Sequence, residues 1–402
     1  MTRISSIEQF RQGIDNILTQ QARLNETQFQ LSTGKKINRP SDDPSASTQL
    51  LKLSTLKSKT EQYNRNISAA RNELQLQETA LDSVNNVLQR VRELMLQANN
   101  ATQSNESRAA IADEIFNRID ELLQYANSKN PDGEYIFSGF NTGSKAFIEN
   151  AGSYSYQGDQ GERMLQVSED LQIAVRSSGT DVFAGAKTGD GRFTLVTDAA
   201  NQGNALVKMT SVTDATLDDY TLTFSAPADP GAPLTYEVVD SNGDAVASGN
   251  YESGTTVSFG GVSLEIEADP AAGDIYEINE SSRQDIFTTL NAVALELDSA
   301  NSDSASYARE VNNLSVAIAS IDQALTANQS LRTKVGNSLQ VLDQREQTNF
   351  DGLIRLETQE SELQDLDFAE AVSRLNLQTV ALQAAQQSYI KIQGLSLFNF
   401  LR

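Results

Sequence analysis

Cysteine, histidine and tryptophan are absent from the 402 residues. Without thiol or imidazole side chains there are no Cys/His metal sites, no Ser-His-Asp triad, no Cys/His nucleophile pair and no disulfide framework. Most enzyme chemistries are thereby excluded, and neither a cofactor nor a metal is expected. Basic residues are scarce as well: 31 Lys and Arg stand against 54 Asp and Glu, a net charge of -23. Such a chain repels phosphate backbones, so nucleic acid is not an expected partner. No apolar run approaches the ~20 residues that cross a bilayer, so a membrane is not expected either. Met1 to Gln20 alternates apolar with charged residues and contains no continuous apolar stretch, so a cleavable secretory signal is not expected there. At about 150 residues per domain, the length fits two or three domains.

The charge that is present is uneven. Between Asp190 and Glu280 there are 16 acidic residues and two basic ones, Arg192 and Lys208. Residues 1–40 carry six basic and three acidic residues, and residues 368–402 carry three and one. Basic ends therefore flank an acidic middle.

Heptads dominate the outer parts of the chain, where apolar residues spaced 3,4,3,4 keep one helix face against a partner helix. A first run places Ile7, Phe10, Ile14, Ile17, Gln21, Leu24, Gln28 and Leu31 on one seam. A second runs from Leu53 through Leu56, Thr60, Tyr63, Ile67, Ala70, Leu74, Gln77, Leu81, Val84, Leu88, Val91 and Met95 to Ala98, a helix of about 70 Å. A third keeps one register from Tyr307 to Leu363, about 85 Å. A fourth places Phe368, Val372, Leu375, Thr379, Leu382, Gln386, Tyr389, Gln393, Ser396 and Phe400 on one seam. The third and fourth are out of register, which marks a break at 364–368. Its N-terminal counterpart is Ser32 to Pro44, where one Gly and two Pro interrupt helix. Pairing the first run with the fourth and the second with the third gives a nested molecule whose ends meet.

Two shorter amphipathic helices are expected at Ile111, Ile115, Ile119, Leu122 and Ala126, and at Ile286, Leu290, Val293 and Leu297. From Tyr135 to Val182 the pattern is that of a β hairpin arm, with strand-like Tyr135-Ile136-Phe137, then Tyr154 and Tyr156, a turn at Gly158–Gly161 and Leu165–Val175. From Phe193 to Ile278 short alternating strands recur, with Asn242-Gly243 as a hairpin turn and Gly260-Gly261 as another. The fold class is α+β: a long antiparallel coiled-coil rod built from both chain ends, with a β hairpin arm and an inserted antiparallel β domain. The boundaries fall at 1–40 with 366–402 for a terminal coiled coil, 41–185 with 281–365 for the rod, and 186–280 for the acidic insert.

The stretch Ser32 to Gln49, STGKKINRPSDDPSASTQ, resembles the flagellin superfamily. Ser32, Gly34, Asn38, Pro40, Asp42, Asp43 and Pro44 carry the match, reinforced by Arg3-Ile4-Ser5, by Asp132 to Gly139 and by Gln393 to Phe398. Pro40 and Pro44 favour the hook-filament junction proteins over the alternative, a filament subunit. The resemblance covers roughly residues 1–182 and 283–402. It implies a structural, non-enzymatic subunit of the bacterial flagellum, secreted unfolded through the flagellar type III export apparatus to the cell exterior. Its implied partners are hook-associated protein 1, flagellin, an export chaperone and copies of itself in a ring.

Polar residues at Gln21, Gln28, Thr379, Gln386, Gln393 and Ser396 weaken the two terminal seams. We expect these helices to be disordered in the monomer and to order when neighbouring subunits cover them. The assembly interface then comprises Ile7, Phe10, Ile14, Ile17, Leu24, Leu31, Phe368, Val372, Leu375, Leu382, Tyr389 and Phe400. Asp42-Asp43 reads as a cap for the helix opening at Pro44 rather than as a metal site. Lys35, Lys36 and Arg39 fit an acidic partner and a solvated turn equally. Asp240 and Asp244 read as turn chemistry, Glu265 and Glu267 as the solvent face of a strand, and the acids of the insert as a solvated surface. Replacing 190–280 by a short Gly/Ser linker should keep helicity per residue high by far-UV circular dichroism; a loss of helix content would show that insert and helices depend on one another.

Overall fold

The computed structural model describes residues 6–213, 217–227, 229, 232–301 and 303–400, with side chains placed at Glu8 and, within those ranges, from Arg11 to Lys391. The elements follow in order as α1 (Ser6–Thr33), α2 (Pro44–Ala98), α3 (Asn105–Ala126), β1 (Phe147–Asn150), β2 (Ser153–Tyr156), β3 (Met164–Gln166), β4 (Gln172–Ala174) and the short α4 (Gly179–Phe183). Then come β5 (Phe193–Thr197), β6 (Leu206–Val212), β7 (Tyr220–Ser225), β8 (Thr235–Val239), β9 (Ala245–Asn250), β10 (Thr255–Phe259), β11 (Val262–Glu267) and β12 (Ile275–Glu280). The chain closes with α5 (Ile286–Asp298), α6 (Ser304–Gln364) and α7 (Phe368–Phe400). The class is α+β. Contacts divide the chain into two compact units, Met1–Arg65 with Gln344–Arg402, and Asn66–Asp343.

In the second unit the heptad seams are the core. Ile67, Ala70, Leu74, Gln77, Leu81, Val84, Leu88, Val91, Met95 and Ala98 of α2 are all buried, as are Leu314, Ile321, Asn328, Val335 and Leu342 of α6. The buried polar members find partners: Gln77 donates to the Ser177 hydroxyl at 2.6 Å and Asn328 to the Leu81 carbonyl at 3.0 Å. Arg92 forks onto Asp322 at 2.6 and 3.2 Å, joining α2 to α6 from outside the seam. Helices α3 and α5 pack on the same core through Ile111, Ile115, Ile119, Leu122 and Ala126, and through Ile286, Leu290, Val293 and Leu297. Ser104 caps α3 and Asp285 caps α5, each accepting a backbone N–H of the first turn.

The hairpin arm is two hairpins, β1–β2 and β3–β4. Tyr135-Ile136-Phe137 is not a strand. Ile136 and Phe137 are buried in succession, at 2% and 0% exposure, which a pleated strand with one covered face does not do. A run of turns carries them into a cluster where Phe137, Phe147, Phe183 and Phe287 meet at ring separations of 5.1 to 5.6 Å.

The insert has its own core. A five-stranded sheet, β5-β12-β7-β8-β9, packs on a three-stranded one, β10-β11-β6, and neighbours in both are antiparallel. Tyr220, Leu222 and Phe224, and Val262, Leu264 and Ile266, alternate inward. Asp240 folds the β8–β9 turn, accepting the N–H groups of Asn242 and Asp244 at 2.9 Å each. One acid departs from the expected solvated surface: Asp274 is 1% exposed. Its carboxylate accepts the N–H groups of Gln202, Gly203 and Ala271 at 2.8, 3.0 and 2.8 Å, so three donors replace the lost water.

In the first unit the early part of α2 pairs with the last part of α6. Lys57 meets Glu357 at 2.9 Å, and Asn349 donates to Asn64 at 2.9 Å. The seam is rotated from the expected one here: Leu56 is exposed and the Lys57 stem takes its place.

Between α5 and α6 one carboxylate sits at a cost. Burial pushes Glu296 from its ordinary 4.5 up to about 7, and Glu310 nearby adds to this, while the amide of Asn313, donating at 2.8 Å, opposes it. A folded-state value above the unfolded one means that the native state binds the extra proton, so this site loses stability as pH rises from about 4.5 to about 7. Glu296→Gln should therefore raise Tm above pH 7, by on the order of 2 kcal/mol of stability, and leave it unchanged near pH 4. An equal shift at both pH values would contradict the assignment.

Candidate assembly interface

The two breaks in the helical pattern lie side by side. Helix α1 stops at Thr33 because Gly34 follows with φ +69, the left-handed conformation that glycine adopts without strain. The chain then forms an antiparallel bridge, Lys35 with Asp365. Lys36 donates its N–H to the Gln364 carbonyl at 2.7 Å, and Leu366 donates to the Gly34 carbonyl at 3.0 Å. Beneath this bridge Ile37, Ala46, Leu366 and Ala371 are buried.

The motif residues are the parts of this crossing. Asp42 accepts the N–H of Arg39 at 2.8 Å and of Asn38 at 3.1 Å, and these two donors, Arg39 first, hold its carboxyl below the usual range. The Asn38 amide donates back to the Lys35 carbonyl at 3.0 Å. Asp43 caps α2, accepting from Ser45 and Ala46 at 3.0 and 2.9 Å, and Pro44 takes the first helical position, where its missing N–H costs nothing. On the returning strand Asp367 caps α7 in the same way, from Ala369 and Glu370 at 2.9 and 3.1 Å. Ser32 and Pro40 are exposed on either side of the crossing. Lys35, Lys36 and Arg39 are exposed too, with the Arg39 guanidinium 5.8 Å from the centre of the Phe29 ring.

From the crossing α1 and α7 run antiparallel. The Gln30 amide oxygen accepts from Arg374 at 3.2 Å, and nearer the free ends a Cβ on Gly13 would stand 3.0 Å from the Tyr389 ring. The covered positions of α1 are Gly13, Ile17, Gln20, Leu24, Thr27 and Leu31, and those of α7 are Ala371, Leu375, Gln378, Leu382, Ala385 and Tyr389. Half of the expected seam is therefore corrected. Ile17, Leu24, Leu31, Leu375, Leu382 and Tyr389 are on it, whereas Ile14, Gln21, Gln28, Phe368, Val372, Thr379 and Gln386 point to solvent. Each helix is rotated by roughly 50° from the heptad reading, at 100° per residue. The reason is size: Gly13, Thr27, Ala371 and Ala385 let the two backbones approach, which Ile14 and Val372 would not. The side chains of Ile7, Phe10, Gln393, Ser396 and Phe400 lie outside the described residues.

The rotation leaves large apolar side chains outside. Ile14 is 44% exposed, Phe368 56%, Val372 47%, Leu377 70% and Ile390 66%. On the other helix pair of this unit Leu51, Leu56, Phe350 and Ile354 are exposed as well. Sequence reasoning missed Leu18, Leu377, Val380 and Ile390, because a strict heptad assigns only one face; the available signal was that α7 is apolar all round. It also missed the buried pair Arg108 and Glu310, at 3.3 Å with the guanidinium 4.6 Å from the Tyr307 ring centre, and Arg176, which binds Glu73 at 3.1 Å and also Glu134. No local pattern marks such partners, which are far apart in the chain.

The family model for the bacterial flagellin N-terminal helical region matches residues 7–142, and that for the C-terminal helical region matches 318–401. Flagellar hook-associated protein 3 of Escherichia coli K12 is 26% identical over 397 residues, covering 99% of both chains. The crystal structure of Xanthomonas campestris FlgL superposes with a TM-score of 0.70 at 30% identity, over 76% of this chain and 98% of that one. The chain belongs to the flagellar hook-associated protein 3 (FlgL) family. The Legionella pneumophila hook-associated protein 3 structure agrees, with a TM-score of 0.74 at 29% identity over 77% of this chain and 98% of that one. In this FlgL-family chain the two flagellin-like regions contain α1 and α7 with the crossing between them, and the acidic insert lies in the stretch that neither matches.

Because the chain lacks cysteine, the register can be tested by cross-linking. The pair Leu31→Cys with Ala371→Cys should close a disulfide rapidly under mild oxidation, read as a mobility shift on a non-reducing gel, and Gln28→Cys with Val372→Cys should not. The opposite order would restore the heptad register.

Proposed function

We propose that this protein is the structural subunit that joins the hook of the bacterial flagellum to the flagellin filament, and that α1 and α7 order fully only within that assembly. Membership of the hook-associated protein 3 family supports the first part, and one observation carries the second: along the contact between the paired helices Ile17, Leu24, Leu31, Leu375, Leu382 and Tyr389 alternate with small or polar residues, while as many large apolar side chains, Ile14, Leu18, Phe368, Val372, Leu377, Val380 and Ile390 among them, face outward. Large apolar side chains left exposed together mark interaction surfaces, and a helix apolar all round, as α7 is, belongs inside a larger core. Neighbouring subunits supply that core. The outward set, Ile14, Phe368 and Val372 with Leu18, Leu377, Val380 and Ile390, is then the assembly face, and Ile17, Leu24, Leu31, Leu375, Leu382 and Tyr389 are the internal seam; Ile7, Phe10 and Phe400 belong to the same interface.

On this reading hook-associated protein 1 lies on one side and flagellin on the other, with copies of the chain forming a ring between them. An export chaperone covers the apolar α7 before secretion through the flagellar type III apparatus to the cell exterior. The absence of cysteine suits passage as an unfolded chain, since no disulfide can lock it. The domain limits read from the sequence, 1–40 with 366–402 for the conditional terminal pair and 186–280 for the insert, are part of the proposal.

Immunogold labelling should give a single band at the hook-filament boundary, and label along the whole filament would favour a filament subunit instead. Ile14→Asp should leave the melting of the monomer nearly unchanged, because that side chain is already 44% exposed, yet it should block incorporation, so that flagellin is lost to the medium and swimming fails. Full filaments in cells carrying Ile14→Asp would overturn the assembly face.

A further inference from the structure

The three-stranded sheet of the insert leaves β6 at its edge. Part of that edge is closed by α6: the buried Asn312 accepts the Val207 N–H at 3.0 Å and donates to the Ala205 carbonyl at 3.1 Å, standing where the peptide of a neighbouring strand would. Past Val207 the strand continues through Lys208 and Met209 along a cleft of about 430 Å³ between β6 and α6. It is lined by Leu206 and Met209 from the strand, which lie on opposite faces of the sheet, and by Val311 and Ile318 from the helix. Four acidic side chains line it as well: Asp190, Glu265, Glu267 and Asp322. Asp322 is matched by Arg92, and Asp190 accepts the N–H groups of Arg192 and Phe193 at 2.8 Å each. Glu265 and Glu267 make no ion pair among the described residues. Lys208 stands opposite Glu265 in the strand register and is the single basic side chain lining the cleft.

We infer that this cleft docks an extended segment of a partner protein in which basic and aliphatic side chains alternate. A strand edge offers unpaired backbone groups to an added strand, and a period of two sends alternate side chains to opposite sides. One set falls on the sheet face that carries Met209, and the other on the face that carries Leu206, Lys208, Glu265 and Glu267. The surrounding insert, with 16 acidic and two basic residues between 190 and 280, draws such a segment in and repels an acidic one. Neither α1 nor α7 takes part, so this site stands or falls separately from the proposed junction role.

The probe is a fluorescein-labelled hexapeptide of alternating lysine and valine, titrated against the full chain by fluorescence anisotropy at low salt. Binding should be saturable, should weaken several-fold as salt is raised, and should fall at least tenfold in Glu265→Lys/Glu267→Lys. It should fall as far in Ser315→Trp, which fills the cleft from the exposed side of α6 without changing charge, and when the peptide backbone is N-methylated. Circular dichroism establishes that each variant is folded, and Ala319→Leu replaces Ser315→Trp should the latter not fold. Absence of saturable binding would overturn the inference, as would unchanged binding to Ser315→Trp or of the N-methylated peptide, since either reduces the effect to general attraction by an acidic surface. Equal binding of a glutamate-valine peptide, equal binding of spermidine, or self-association of the chain abolished by the same variants would assign the cleft to a different occupant and overturn it too.

Discussion

The antiparallel return of the chain on itself is the constraint on which the rest depends. The long helices find partners far away in the sequence as well as in the neighbouring α3 and α5: Leu81 meets Asn328, Arg71 meets Asp343, Lys57 meets Glu357. In the first unit the turn between seams is made twice, once in each strand, and Lys35 and Asp365 lock the two turns together. The acidic pair of the motif, which looks like a ligand site in isolation, is spent on holding that crossing. Asp42 gathers the loop, and Asp43 opens the next helix.

How much of this the sequence reveals depends on how many faces each helix must cover. In α2 from Ile67 to Ala98 apolar residues recur with few ambiguities, and every expected seam position is buried. In α1 and α7 apolar residues occur on several faces, so the heptad criterion selects the larger residues, Ile14 and Val372, while packing selects the smaller ones, Gly13 and Ala371. A pattern of polarity cannot tell a residue that faces its own chain from one that faces a neighbour. Tyr135-Ile136-Phe137 misleads for a related reason: three apolar residues in a row fit a strand by propensity, but a loop that must fill an aromatic cluster needs the same composition. Arg108 and Glu310 escape notice because nothing near either residue announces the other, while Asp274 is hidden among fifteen other acids of its segment.

The insert is a different kind of object. Its core is separate from the helical one, its entry and exit are bridged by Lys187 and Arg283, and it touches α6 through single side chains such as Asn312 and Ser320. Edge strands invite pairing with other chains, and Asn312 closes one stretch of β6 while the next borders an acidic cleft. The two flagellin-like helical regions thus flank a domain with a core and an edge strand of its own.

The central claim is that the α1/α7 pair is unable to hold itself together by its inner seam alone. Amide hydrogen exchange on the monomer and on assembled flagella compares the two states directly. The account predicts that residues 6–33 and 368–400 exchange orders of magnitude faster than residues 67–98 in the monomer, and become protected in the flagellum. Protection of the terminal helices in the monomer equal to that of residues 67–98 would contradict it, leaving an ordinary folded coiled coil.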